Sequence, residues 1–498
     1  MLRVALILAV ALAVRLYALG TNPLEVHADE LAGLVGVANV LHGRAPLVPF
    51  FDLRVEYLPL YGIFETMSTS LFGTNAFAMR LPAALLGVIS VAALRWLTFE
   101  LTVPERSAEN QAVVASFAVA DGAAALFAVL PWSIHISRLG WENAAVFPFL
   151  FGALAALARG LRLRTARPLL LAAILLGIGA YSYRAEPVDG ILLGAALIVV
   201  RASDARACLR PLALACSIAL AIVAPLVVAV ATHPRFFWRD ANIATFGHGY
   251  TPAAFGTFVH NYITHFALGP LFGYGDGILD HGPHYGELYW WMLPFVLIGL
   301  VTASRIVGRQ TRTVLYVWLT IYPLGGALTN DGVPDFPRTM IGAPLACILT
   351  AIGLRAGYLW LGRFHAATRS REMATTALAA TAAFAFAGFA RVYFTVYPAM
   401  AADAFKYGTA SLFATVRVLG VGERRVCFGS LDWYNYDTFV DFYMRGSSLA
   451  PVEGVGQVCT LPGSLIVVDA PGKAPSGAKL VGAVPNREGD VMAYIFKK

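Results

Sequence analysis

The residues best placed to do chemistry come early in the chain. The string His27-Ala-Asp29-Glu30 follows the first apolar run, 2–19, by about ten residues. An adjacent acid pair so close to a membrane surface is not needed for solubility. A carboxylate near apolar walls and other acids is more basic than a free one, and so suited to proton abstraction. The competing reading is a helix over 29–42, because Asp and Glu favour the first helical turn. That accounts for one acid. It leaves the rest of the loop, which returns as Arg54-Val-Glu56-Tyr57-Leu-Pro59-Leu-Tyr61 and then Arg80-Leu-Pro82. A later stretch holds His260, His265, Asp276, Asp280-His281-Gly-Pro-His284 and Glu287. Asp280, His281 and His284 have a spacing that can hold a divalent metal together with Glu56 or Glu30. A plain polar role is the commoner one for loop histidines.

These residues must be positioned by a membrane domain. Of the 498 residues, 58% are hydrophobic and only 13% charged, and mean hydropathy is +0.66. A soluble protein carries about 25% charged residues. The net charge of +7 does not mark a nucleic-acid binder: no Lys precedes Lys406, and the Arg residues sit in short clusters between apolar runs. Runs of spanning character lie at 2–19, 76–96, 111–131, 141–160, 168–184, 186–201, 210–231, 287–304, 313–330, 339–361 and 373–397. A span needs about 20 apolar residues. The stretch 57–73 either spans or lies against the surface.

Arginine sets the orientation. Arg159, Arg162, Arg164 and Arg167 form a basic loop, as do Arg305, Arg309 and Arg312. The groups Arg201, Arg206, Arg210 and Arg363, Arg369, Arg371 carry one acid each. The positive-inside rule puts all four in the cytoplasm. Alternation then works only if 57–73 does not cross. This predicts about eleven transmembrane helices, a cytoplasmic N-terminus and a retained first helix, which lacks a clear small-residue cleavage site.

The predicted architecture is an all-α polytopic membrane domain over 1–397 with a small α/β extracytoplasmic domain over 398–498. The outer side gathers loops 20–75 and 232–286 and the shorter turns 132–142, 181–187 and 330–338. In the C-terminal segment, a helix near 402–418 and β-like runs at Arg425-Val-Cys-Phe and Leu465-Ile-Val-Val-Asp fit an α/β fold. Cys427 and Cys459 fall there, and on an oxidising side they can pair. Cys208, Cys216 and Cys347 show no metal-ligand spacing.

A family resemblance runs over roughly residues 1–360. An apolar helix ending Arg15-Leu-Tyr17 precedes Asp29-Glu30. Glu56-Tyr-Leu-Pro-Leu-Tyr61 follows, then Phe77-Ala-Met-Arg80-Leu-Pro-Ala-Ala-Leu-Leu-Gly87. After these come Pro131-Trp-Ser-Ile-His-Ile-Ser-Arg138 and Gly179-Ala-Tyr-Ser-Tyr183-Arg184-Ala-Glu-Pro187. In this order and on this membrane side, the motifs resemble the bacterial relatives of protein O-mannosyltransferases and of lipid A aminoarabinose transferases (glycosyltransferase family 39-like). These are GT-C membrane glycosyltransferases that use polyprenyl-phosphate sugars. The resemblance implies a hexosyl- or pentosyltransferase of the bacterial inner membrane, acting at its outer face. Its donor is a polyprenyl-phosphate sugar, and its acceptor a protein, a glycolipid such as lipid A, or a polysaccharide.

The resemblance places the catalytic acid-base residue at Asp29, with Glu30 beside it. The family's second loop motif falls on Glu56-Tyr57-Leu58-Pro59, where Tyr57 replaces a Lys that touches lipid phosphate in the aminoarabinose branch. An Asp of the mannosyltransferases falls near Glu142 or Asn143, and Glu142 is the candidate. Arginine's planar donors match the oxygens of a leaving phosphate. Arg138, Arg184 and Arg338 lie at outer helix ends or loops, with Tyr57 and Tyr183 nearby. Each Arg has a competing role: Arg138 and Arg184 as snorkelling anchors, Arg338 as the partner of Asp331 or Asp335. Tyr181 and Tyr183 can serve an interfacial aromatic belt, and Tyr289, Trp290 and Trp291 are better read that way. The aminoarabinose branch admits zinc at His281 and His284; the mannosyltransferase branch needs no metal. A transporter, the reading from another class, would place charge near the midplane and show two related halves. Neither is seen.

Overall fold

The computed structural model describes residues 2–43, 58–104, 110–232, 243–330, 332–363, 367–429, 436–444 and 447–498. Glu56 and Tyr57 lie outside the described residues. Every apolar run carries a helix: α1 (Leu2–Leu16), α4 (Ala76–Thr102), α5 (Asn110–Val129), α7 (Val146–Leu163), α8 (Ala166–Gly179), α9 (Glu186–Val200), α10 (Leu209–Thr232), α12 (Met292–Ile306), α13 (Arg309–Ile321), α14 (Gly342–Leu361) and α15 (Ala367–Arg391). Between them lie α2 (Ala28–Leu41), α3 (Pro59–Phe72), α6 (Pro131–Ile136) and α11 (Pro252–Thr264).

Among the described residues, six helical segments are long and apolar enough to cross a membrane: Ala76–Thr102, Gln111–Val129, Glu142–Leu163, Leu209–Ala229, Gly342–Leu361 and Thr368–Met400. The chain is a multi-pass membrane protein. The other apolar helices are shorter than the runs that predicted them. Helix α13, for example, stops just ahead of Pro323, which cannot donate a helical N–H. The 14 residues of α3 reach about 21 Å, short of the ~30 Å hydrocarbon thickness.

The bundle is closely packed where glycine permits it. A Cβ on Gly299 of α12 would meet the Leu349 carbonyl oxygen at 2.0 Å, and one on Gly353 of α14 the Phe295 carbonyl oxygen at 2.0 Å. Small residues let membrane helices approach in this way. The largest core cluster includes Phe127, Phe147, Phe151 and Trp318. At the end of the bundle opposite the polar loops, Glu100 at the foot of α4 is buried and binds Arg159 at 2.8 Å and Arg162 of α7. Arg164 binds Asp204 at 2.9 Å. Much of the basic loop is thus tied to acids at neighbouring helix ends.

The C-terminal segment forms α16 (Thr409–Leu419), α17 (Tyr436–Tyr443) and a five-stranded sheet: β1 (Arg425–Phe428), β2 (Ala450–Glu453), β3 (Ser464–Val468), β4 (Lys479–Pro485) and β5 (Val491–Lys497). The order is β2-β1-β3-β5-β4. Strand β1 runs parallel to β2 and β3, while β5 is antiparallel to β3 and β4. Strand β3 is buried along its length, as expected for a central strand covered on both faces. Cys427 and Cys459 form a disulfide. The helical stretch near 402–418 begins later than predicted, at Thr409 after a run of turns. This segment does not stand apart. Leu412, Phe413, Phe428 and Phe439 share one buried cluster with Leu31 and Leu34 of α2.

Candidate active site

Helix α2 starts at a reciprocal cap. The His27 side chain accepts from the Asp29 N–H at 3.2 Å, and Glu30 Oε1 accepts from the His27 N–H at 3.0 Å. Glu30 is fully buried. Its second oxygen accepts from Arg80 Nε at 2.7 Å and from the Gly140 N–H at 3.0 Å, while Arg80 Nη2 reaches Oε1 at 2.8 Å. Burial alone would raise its pKa, but Arg80 and the two backbone donors outweigh that and lower it. Asp29, one residue earlier on the helix, keeps a side chain 34% exposed.

The loop after α11 comes to the same place. Asp276 Oδ1 accepts from the Ile278 N–H at 3.0 Å, a local turn, and Oδ2 binds His281 Nδ1 at 2.7 Å. The main chain of this loop is pinned from the bundle. Tyr397 Oη donates to the Leu279 carbonyl at 2.6 Å, and His135 Nε2 bonds the Asp280 carbonyl at 3.0 Å. Asp280 Oδ2 lies 3.8 Å from His27 Nε2. His281 resists charging through burial, yet its bond to Asp276 and the charges of Asp276, Asp335 and Asp280 prevail and raise its pKa to about 9.

A third segment closes the site. His265 bonds the Asn261 carbonyl through Nδ1 at 2.7 Å and accepts the Asp335 N–H at Nε2 at 3.0 Å. Asp335 then holds Arg338, accepting its N–H at 2.9 Å and facing its Nε at 3.2 Å, while Arg338 Nη1 donates to Thr329 Oγ1 at 2.7 Å. Burial raises the Asp335 pKa, against the pull of Arg338 and His281. A cavity of about 130 Å³ opens between these parts. Its walls are Trp141, Glu142 and Asn143 at the mouth of α7, Tyr183, His281, and Asp335, Pro337 and Arg338. Burial, followed by the charge of Asp335, raises the pKa of the Tyr183 phenol. Trp141 joins the cavity to α2: its ring meets His27 at 5.7 Å and His281 at 6.1 Å, edge-on in both cases.

No protein-family model matches the chain, and no curated protein matches its sequence. Solved structures do match it. ArnT from Cupriavidus metallidurans, bound to undecaprenyl phosphate, is similar over 99% of this chain and 97% of its own, with TM-score 0.61 at 14% identity. Its apo form gives 0.57 at 15%. The oligosaccharyltransferase AglB from Archaeoglobus fulgidus, in complex with an inhibitory peptide and a dolichol-phosphate, is similar over 91% of this chain with TM-score 0.51 at 12% identity. This chain covers 64% of AglB's length. The chain has the GT-C fold.

Within the GT-C fold, the predicted site residues separate into groups. Glu142, Tyr183, His281 and Arg338 line one cavity. Arg184 is half-buried and close enough for its charge to act on Tyr183. Asp29 stands beside this group, linked through His27 and Trp141.

Two predicted residues are enclosed by the protein's own groups. Glu30 is fully buried and enclosed by Arg80 and two backbone donors. Arg138 is fully buried. Its Nη1 donates to the carbonyls of Val14, Arg15 and Tyr17 at 3.0, 2.8 and 2.8 Å. Carbonyls at a helix end lack partners of their own, and Arg138 supplies them for α1. That differs from both a phosphate contact and a snorkelling anchor.

His284 is exposed, away from His281's bond to Asp276. Among the described residues no three His, Cys, Asp or Glu groups converge as metal ligands would. The proposed metal partner Glu56 lies outside them. Residues that the sequence reading gave no role are His27 and Trp141; Asn143, weighed there as the alternative to Glu142, also lines the cavity. His27 and Trp141 were each within two positions of a chosen acid, but proximity to an acid is a weak signal without the fold.

Proposed function

We propose that this protein is a membrane glycosyltransferase. It moves a sugar from a polyprenyl-phosphate donor to an acceptor hydroxyl on a protein, glycolipid or polysaccharide, at the extracytoplasmic face. The observation that carries this reading is the convergence of acids and cations from separate loops on one cavity. It occurs in a fold shared with enzymes solved holding undecaprenyl phosphate and dolichol-phosphate. The disulfide in the C-terminal domain, 398–498, supports an oxidising, extracytoplasmic location.

Asp29 is the base. It accepts the proton of the acceptor hydroxyl as that oxygen attacks the anomeric carbon. The bond from the anomeric carbon to the phosphate oxygen breaks, and its electron pair leaves with the polyprenyl phosphate. One displacement inverts the configuration. Arg338, Arg184 and protonated His281 offset the charge gathering on the phosphate, with donors of the kind that bind phosphate oxygens best. Glu142 orients the sugar from the cavity wall, where its Oε2 already accepts the Leu58 N–H at 2.8 Å. Purified protein tested against a panel of radiolabelled polyprenyl-phosphate sugars should transfer from at least one of them. Failure with every donor in the presence of lipid and peptide acceptors would refute the reading.

A further inference from the structure

The geometry points to His27 as the positioning residue for Asp29, coupling it to Asp280. The inference rests on the proposed role of Asp29 as base. The His27 ring stands between two carboxylates. Nδ1 accepts the Asp29 N–H at 3.2 Å and lies 3.6 Å from Asp29 Oδ2. An Nδ1 that accepts leaves the proton of the neutral ring on Nε2. Nε2 faces Asp280 Oδ2 at 3.8 Å.

The surroundings fix the ring in this pose. Its side chain is only 11% exposed. Trp141 and Phe405 pack edge-on against it, at 5.7 and 5.8 Å between ring centres. Its own N–H is held by Glu30 Oε1 at 3.0 Å. Asp280 is also placed from behind, because His135 and Tyr397 hold the main chain at Asp280 and Leu279.

Capping alone does not call for histidine. Ser, Thr, Asp and Asn are the usual N-caps, and each reaches the helix N–H groups without reaching anything else. An imidazole has a second nitrogen on its far edge, and here that edge meets Asp280. Among the described residues, Asp29 from α2 and Asp280 from the 276–284 loop are the charged side chains that face the ring, and both are partly open to solvent, at 34% and 27%. His27 therefore places Asp29 through its backbone, by the Nδ1 bond to the Asp29 N–H that fixes the first turn of α2, and its ring separates the Asp29 carboxylate from a second negative charge. Without the ring, Asp280 acts on Asp29 directly, and a like charge makes a carboxylate hold its proton more tightly.

The test uses His27→Asn, Asp280→Asn and the double variant in the full-length protein. Asn keeps a side-chain oxygen for the cap and loses the reach to Asp280. His27→Asn should retain its melting temperature and its binding of undecaprenyl phosphate, lose about tenfold or more in single-turnover transfer, and shift the acid limb of its pH–rate profile upward. The double variant should lose the upward shift of the acid limb, because the charge of Asp280 is gone, and should be no slower than His27→Asn, because both changes act through one link. Normal rate and pH profile for His27→Asn would reduce the residue to a cap and overturn the inference. So would fully multiplicative losses in the double variant. Asp29→Asn is run alongside: if it transfers normally, the base assignment falls and the inference with it. An inactive Asp29→Asn beside a normal His27→Asn overturns the inference alone.

Discussion

Arg80 grips Glu30 with two parallel bonds, Nε to Oε2 at 2.7 Å and Nη2 to Oε1 at 2.8 Å, both side chains wholly buried. Removing one member of such a pair leaves an uncompensated charge and costs about 3–5 kcal/mol. Glu30→Ala should therefore lower the melting temperature in detergent and increase protease sensitivity around α2. Loss of transfer in a Glu30→Ala variant with wild-type stability would instead return Glu30 to the chemistry.

Asp29 has the opposite profile. Asp29→Asn keeps the shape and removes the proton acceptor, so transfer should fall by about 10²–10⁴, the usual scale of general-base catalysis. Donor binding and melting temperature should persist. A paired binding and single-turnover assay separates the two effects. Loss of donor binding would mean that Asp29 holds the donor, and Glu142 would become the leading base.

The arginines should separate by measurement. Arg338→Ala and Arg184→Ala should weaken donor binding by about ten- to a hundredfold, the value of roughly 1.5–3 kcal/mol for a bond to a charged group. Lys should rescue only in part, since it lacks the planar fork. Arg138→Ala should instead lower stability, because the end of α1 loses its donors. A donor-binding defect in Arg138→Ala at unchanged melting temperature would contradict this division.

His281 predicts a pH limit. Its pKa is raised to about 9, against about 6.5 for an unperturbed histidine. A raised histidine stabilises the folded state fully below its unfolded pKa, and that contribution fades as pH climbs through the folded value. Stability gained from the Asp276–His281 pair should thus be complete below about pH 6.5 and gone above about pH 9. Donor binding should weaken over the same alkaline range. In His281→Gln the alkaline loss of donor affinity should vanish, and a titration from pH 6 to 10 reads it.

Orientation is open to thiol labelling. With the native cysteines accounted for, Arg164→Cys, Arg309→Cys and Arg369→Cys should resist a membrane-impermeant reagent in intact cells, and Ala450→Cys should react. The opposite pattern would invert the topology and remove the site from the outer face.

The legible part of this protein was its periodicity and its punctuation. Long apolar runs marked the helices, and short apolar runs marked β1 and β3, because both follow from local side-chain pattern. Helix length was less legible: α8 and α13 stop early at turns that hydropathy does not register. At the candidate site, the sequence reading picked out Glu142, Tyr183, His281 and Arg338 from separate loops, and the fold brings them to one cavity. The division of labour among charges could not. Asp29 and Glu30 are neighbours of nearly the same chemistry, and what separates them is Arg80, fifty positions away. The bonds of Arg138 to Val14, Arg15 and Tyr17 likewise become visible only when the end of α1 is seen lying against it.

The buried cluster that α2 shares with α16, β1 and α17 has a consequence for biogenesis. A chain is made from its N-terminus, so the helix bearing Asp29 emerges hundreds of residues before its cover. Until that domain is made and folded, Leu31 and Leu34 lack their cover, and α2 rests on its packing against α3 and on the grip of Arg80 on Glu30.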